Sequence, residues 1–119
     1  MCIRDRPQEF VQRASIAAWN DERHVEEARA RYARKRALFL DLFARKGVRV
    51  AGSAATMYLW LEVPGGERSE AFATRLLEHG IVVAPGAYLG AAGEGYVRLA
   101  LVPDEAECAR AVAILEEVL

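Results

Sequence analysis

The hydrophobic period of this chain first changes at Gly47, and that change limits the possible folds more than any other feature. Upstream of it, apolar residues recur in helical steps. Phe10, Val11, Ala14, Ile16, Ala17 and Ala18 predict a helix from Gln8 to Asn20, and Asn20, Asp21 and Glu22 offer capping chemistry for a second, longer one. That helix is expected from Asp21 to Lys46, with Val25, Ala28, Tyr32, Phe39 and Leu42 on one stripe and Lys35 filling the missing position. Acidic residues crowd its first turns and basic ones follow, an order that suits the helix dipole, and Glu27 with Arg31 forms a favourable i,i+4 pair. Gly47 then supplies a C-terminal stop.

Downstream the spacing is that of strands and short helices. Val48 to Val50 and Met57 to Val63 read as strands, the second ended by Pro64-Gly65-Gly66. Ser69 is expected to cap a helix that turns Phe72, Ala73, Leu76 and Leu77 inward and closes at Gly80. Ile81 to Ala84 reads as a short buried strand. A glycine-rich loop, Pro85 to Gly95, leads into a strand from Tyr96 to Val102. Asp104 with Glu107 is an aspartate version of the capping box, opening a helix with Cys108, Val112, Leu115 and Leu119 on one side. The order α-α-β-β-α-β-β-α predicts an α/β (α+β sandwich) fold, an open sheet covered by helices rather than a bundle.

A chain of 119 residues, 53% of them hydrophobic, has room for one ordinary domain. Sixteen Lys+Arg against seventeen Asp+Glu leave a formal charge of -1, which offers no basic field for nucleic acid or lipid. The basic run on the long helix is balanced by its acidic first turns and reads as a solvated face. No apolar run approaches the roughly 20 residues of a membrane helix, and no signal pattern opens the chain, so a cytoplasmic setting is expected. Residues Met1 to Arg6 fit no amphipathic pattern and read as a non-native leader. Cys2 and Cys108 are too few for a metal site and improbable as a disulfide.

Arg98 is the most informative residue. It stands mid-strand among Val97, Leu99, Ala100, Leu101 and Val102, where an unpaired guanidinium would cost several kcal/mol if buried. Alternation places Tyr96, Arg98 and Ala100 on one face, and Tyr58, Trp60 and Glu62 on one face of the earlier strand. Three readings stay open: an internal pair with Glu62, plain exposure, or a fork for a ligand carboxylate. The loop glycines Gly86, Gly90, Gly93 and Gly95 permit close backbone approach, but no phosphate-binding motif accompanies them, and a flexible hairpin connection is the blander reading. Tyr58, Trp60, Phe72 and Tyr96 default to core, whereas Tyr88 is a candidate pocket wall. His24 and His79 lack any accompanying nucleophile or ligand set, and no catalytic pair or metal cluster emerges.

Five segments in order, PQEFVQRASIAAWNDERHV (7–25), RYARKR (31–36), ATMYLW (55–60), VAPGAYLG (83–90) and GYVRLAL (95–101), resemble class I/II aminotransferases of fold-type I. Within that family the likeness is to the bacterial N-succinyldiaminopimelate aminotransferases of lysine biosynthesis. The resemblance runs from Pro7 to Leu119 but covers only the last third of such an enzyme. It implies residues 7–20 as the end of the large domain or hinge and 21–119 as the C-terminal small domain. It implies that Arg98 grips the substrate α-carboxylate, that Tyr58 packs beside it, and that Gly86 and Tyr88 line the mouth of the site. The activity implied is amino-group transfer between an amino acid such as glutamate and a keto acid. The intact enzyme would use pyridoxal 5′-phosphate and form a homodimer. The family's Schiff-base lysine, phosphate-binding arginine and pyridine-pairing aspartate lie upstream; Lys35 and Lys46 match none of them and sit in the polar pattern of a long helix. The chain alone is therefore expected to lack catalytic and cofactor-binding residues and to be inactive. Two other functions suit the same residues: a non-catalytic α/β module sensing a carboxylate effector, and a helical interaction domain using the charged helix.

Overall fold

The computed structural model describes residues 7–119, so the proposed leader and Cys2 lie outside the described residues. The chain forms two compact units, Met1–Ala30 and Arg31–Leu119.

In the first unit, α1 (Glu9–Trp19) is steadied by a Glu9–Arg13 pair at 2.6 Å one turn apart. Its apolar residues do not form a buried stripe: Phe10 is 69% exposed and Trp19 is 84% exposed. Asp21 accepts from the Arg23 N–H at 3.1 Å, so the second helix, α2 (Arg23–Lys46), begins two residues later than expected, on that cap.

The second unit is a four-stranded antiparallel sheet with three helical segments over one face. Its strands are β1 (Val50–Gly52), β2 (Tyr58–Glu62), β3 (Ala84–Pro85) and β4 (Tyr96–Ala100), in spatial order β1-β2-β4-β3. Leu59, Leu61, Val97 and Leu99 point to the covered face and meet Phe39, Leu42 and Phe43 of α2. Phe72 and Leu76 of α3 (Ser69–Glu78) and Cys108 and Leu115 of α4 (Glu105–Val118) complete one continuous core. The capping box expected at Asp104 is formed in full: its carboxylate accepts from the Glu107 N–H, and Glu107 returns the contact to the Asp104 N–H.

Helix ends explain most departures from the expected boundaries. Gly47 takes φ 69° and closes α2 with the Gly47 N–H on Ala44 O and the Val48 N–H on Phe43 O. Val48 is thereby used as a cap, and β1 starts at Val50 instead. Gly80 closes α3 in the same manner, with the Ile81 N–H on Leu76 O, so β3 shrinks from the expected 81–84 to Ala84–Pro85. Pro85, which has no N–H to donate, sits on an edge strand, and Val82 is 77% exposed rather than buried. Leu77, expected inward, is exposed. Ser69 is the first residue of α3 and not its N-cap.

Lys35 fills the stripe position expected of it, on the buried face of α2 at 7% exposure, and so does not sit in the polar pattern also ascribed to it. Its ammonium donates to Leu101 O at 2.6 Å and Pro103 O at 2.9 Å, and lies 4.6 Å from the centre of the Tyr32 ring. The Leu101 N–H in turn donates to Met57 O at 2.8 Å, so one side chain ties the exit of β4 to α2 and to the entry of β2. Replacing it with an apolar chain of similar length removes the ammonium from both carbonyls and leaves Pro103 O with only the weak Cys108 thiol donor at 3.6 Å. Lys35→Met is expected to lower stability by about 1–3 kcal/mol, read as a lower urea midpoint at unchanged slope; an unchanged midpoint would show the clasp to be idle.

Candidate functional site

Only one face of the sheet is covered, so the residues alternating with the core form a second, half-open surface. Antiparallel register arranges them in rows. Tyr58 faces Ala100; Trp60 faces Arg98, which faces Ala84 on its other side; Glu62 faces Tyr96. The aromatics expected in the core divide accordingly: Phe72 is buried, whereas Tyr58, Trp60 and Tyr96 are half-buried on this open surface. The expected common face of Tyr58, Trp60, Glu62, Tyr96 and Arg98 is present.

Within the rows, contacts run along one set of diagonals. Arg98 lays its guanidinium over the Tyr58 ring, 4.5 Å from the centroid, a cation–π contact of about 1 kcal/mol. Trp60 stacks on Tyr96 with centroids 5.6 Å apart and planes within 9°. Trp60, Glu62, Tyr96 and Arg98 are four corners of one patch, so the Trp60–Tyr96 stack crosses the opposite diagonal, the one joining Glu62 to Arg98. Glu62 instead pairs with Arg49, whose guanidinium also reaches the Tyr96 hydroxyl at 3.4 Å. The internal Arg98–Glu62 pair is therefore not made. Among the described residues no carboxylate lies within ion-pair distance of Arg98, which is half-buried and not freely solvated.

The 85–95 loop is built, not slack. It folds as two short 3-10 turns, Gly86–Leu89 and Ala91–Gly93. Gly86 is needed where the backbone doubles on itself: a Cβ there would fall 2.0 Å from Gly93 O and 2.7 Å from Tyr96 O. Its close approach is thus to the chain's own backbone, beside β4. Tyr88, on the same turn, is 73% exposed, and among the described residues no hydrogen bond or ring contact joins it to Arg98 or Tyr58.

The sequence reading missed Glu94. Its carboxylate accepts from the Ser69 N–H at 2.8 Å and the Ser69 hydroxyl at 3.0 Å, and so caps α3 from outside. The Ala87 N–H donates to the same hydroxyl at 3.4 Å, which secures the Gly86–Leu89 turn. The Ser69 N–H holds the Glu94 carboxyl below the usual carboxylate range, assisted by the Ser69 hydroxyl, the Gly95 N–H and the Arg68 charge against a desolvation cost. A lone acid between two glycines, Gly93 and Gly95, is the only signal the sequence carries for this role.

Residues 1–115 match the family model for aminotransferase class I and II. The chain belongs to that family. LL-diaminopimelate aminotransferase of Dehalococcoides mccartyi is 42% identical over 98 residues, covering 80% of this chain and 25% of that protein. The 4-dedimethylamino-4-oxo-anhydrotetracycline transaminase of Streptomyces rimosus is 40% identical over 105 residues, covering 88% and 29%. A solved structure described as a probable N-succinyldiaminopimelate aminotransferase from Thermus thermophilus superposes with TM-score 0.75 at 32% identity, over 84% of this chain and 27% of that one. The chain spans about a quarter of the length of the curated relatives it matches. Its antiparallel sheet and helices have the architecture of the aminotransferase small domain. Among the described residues no helix is long and apolar enough to cross a membrane.

In this aminotransferase domain the Glu94 clamp gives a pH dependence of defined sign. A carboxyl whose folded pKa is depressed adds stability above its unfolded pKa, near 4.5, and loses it as pH falls through the lower folded value. Glu94→Gln is expected to be less stable than the parent at pH 7, with the gap closing as both are acidified through that window. Denaturation midpoints across pH measure it; a gap independent of pH would separate the clamp from ionisation.

Proposed function

We propose that this chain is the substrate-recognising small domain of a pyridoxal-phosphate-dependent aminotransferase, and that Arg98 receives the α-carboxylate of the amino acid and of the keto acid. The observation that carries the reading is a half-buried guanidinium, stacked on Tyr58, with no carboxylate of its own chain among the described residues. Arginine binds carboxylates in a two-pronged, planar fork, and a ring beneath the guanidinium fixes its plane while leaving its edge for such a partner. Tyr58 is then the positioning surface for Arg98. Gly86 shapes the turn at the mouth of the site, and Tyr88, exposed on that turn, is the loop residue available to a substrate or to a closing domain.

Class I and II aminotransferases depend on pyridoxal 5′-phosphate, which supplies the electron sink for their amino-group transfer. The residues of this chain do not fit that group. A covalent anchor needs a free lysine amine, and both lysines are committed: Lys35 to Leu101 O and Pro103 O, Lys46 to Glu116 O. The role that fits is to bind and orient, which lowers the entropy cost of reaction without making bonds. In the intact enzyme we assign 7–20 to the end of the large domain or hinge and 21–119 to the small domain, in a homodimeric, cytoplasmic protein. The donor is proposed as glutamate and the acceptor as a keto acid of the N-succinyldiaminopimelate type, within lysine biosynthesis. Relatives named for LL-diaminopimelate and N-succinyldiaminopimelate support that choice. The relative named for a tetracycline intermediate indicates that the acceptor portion varies while the scaffold persists. A pure effector-sensing module is disfavoured by family membership, and the Arg98 strand argues against a purely helical interaction domain.

Titrating the chain with pyruvate while following the Arg98 Nε–H resonance tests the assignment. A saturable shift is expected there and at the backbone amides of β2 and β4; Arg98→Lys, followed through those amides, should bind pyruvate about tenfold or more weakly, the loss of a charge-assisted two-point contact of about 1.5–3 kcal/mol. Absence of the shift, or undiminished pyruvate affinity in Arg98→Lys, overturns the reading. Incubation with equimolar pyridoxal phosphate followed by borohydride is expected to leave Lys35 and Lys46 unmodified; a stoichiometric reduced adduct at either would contradict the division of labour proposed.

A further inference from the structure

A free arginine two residues from a row that contains a glutamate raises a physical question: what keeps Glu62 away from Arg98? Directly opposite and diagonal side chains on paired strands lie within reach of one another, and Glu62 is diagonal to Arg98 across β2 and β4. Along the open face, Glu62 is the one acid among the strand residues facing outward with Arg98, the others being Tyr58, Trp60, Ala84, Tyr96 and Ala100. A carboxylate of the chain itself in that place would occupy the guanidinium and compete, as an intramolecular partner, with any ligand.

Two features oppose this. The Trp60–Tyr96 stack lies across the Glu62–Arg98 diagonal. Arg49, on the outer side of the same row, holds the Glu62 carboxylate and touches the Tyr96 hydroxyl, so it steadies the stack as well. The backbone sets this row, since the Glu62 N–H donates to Arg49 O at 2.9 Å. Arg49 is also 66% exposed in its side chain and buries little, so a purely structural contribution from it is small.

Resting on the carboxylate reading of Arg98, we propose that Arg49 is a positioning residue for that site: by holding Glu62 at the far end of its row, it keeps the chain's own carboxylate off Arg98. Without Arg49, the Glu62 side chain swings past the aromatic stack to the nearest guanidinium, and a ligand carboxylate must displace it.

The test uses the same pyruvate titration of the whole chain, with amide fingerprints confirming that each variant is folded. Arg49→Ala is expected to weaken pyruvate binding about two- to fivefold, the range of an exposed ion pair that must first be broken. Arg49→Ala combined with Glu62→Gln should restore parental affinity, Arg49→Lys should retain it, and Glu62→Gln alone should bind at least as tightly as the parent. Before any ligand is added, the Arg98 Nε–H resonance of Arg49→Ala should already be displaced, and Glu62→Gln should abolish the displacement. Unchanged binding in Arg49→Ala, or a loss that Glu62→Gln does not repair, overturns the positioning role while leaving Arg98 as receptor. A parent chain with no pyruvate-dependent shift at Arg98 is a different failure, that of the carboxylate reading itself, and it removes the inference with it.

Discussion

A guanidinium drawn partly out of water with no counter-charge is the constraint around which the open face is arranged. Removing a cation from solvent costs several kcal/mol, and a tyrosine ring returns about one of them. Arg98 nonetheless rests on Tyr58 and not on a carboxylate. Its position follows from the covered side of the same strand. Val97 and Leu99 are fully or nearly fully buried against the helices, and slipping β4 by one residue would carry both into water and Arg98 into the core. The core thus offsets, in apolar contacts, the cost of a surface residue held in an unfavourable setting.

How much of this is legible in a sequence depends on the range of the interaction. Strand alternation is a local rule, and it places Tyr58, Trp60, Glu62, Tyr96 and Arg98 on a common side without reference to anything distant. The Asp104–Glu107 capping box is equally local and is found where its spacing puts it. Which side of the sheet the helices cover is not local, and so the three open-face aromatics pass for core until the packing is seen. Glu94 fails for the same reason: its partner Ser69 is 25 residues away, and the local capping preference of serine points to a different role for it. The strand boundaries fail more subtly. Val48 and Ile81 have strand-like side chains, but their amides are consumed in closing α2 and α3, a competition that residue preference does not express.

The lysine and arginine placements show why charge is a poor guide until partners are known. Lys35 is readable in sequence as an interruption of an apolar stripe, and its burial is tolerable only because two main-chain carbonyls and the Tyr32 ring receive it. A lysine so held is a structural clasp, unsuited to chemistry that needs a mobile, deprotonated amine. Lys46 is likewise bound to a carbonyl, near the end of α4. These contacts, more than the identity of the residues, are what the proposed division between recognition and bond making rests on.

Charge balance sharpens the argument about Arg98. With seventeen acidic residues for sixteen lysines and arginines, carboxylates are not scarce, and several arginines find one: Arg34 takes Glu105, Arg45 takes Asp41 and Glu116, Arg75 takes Glu67 and Arg49 takes Glu62. Arg36 is likewise half-buried without an acid, but it donates to Thr56 O, whereas Arg98 meets only the Tyr58 ring. The nearest candidate is on the same face, is engaged by another cation, and lies across a ring stack that crosses its diagonal to Arg98. A protein selected for stability alone would gain from closing that gap, since a pair between neighbouring strands stabilises the sheet by a few tenths of a kcal/mol or more. That the gap is left open is what the proposed role of Arg98, as receiver of a carboxylate from solution, would require.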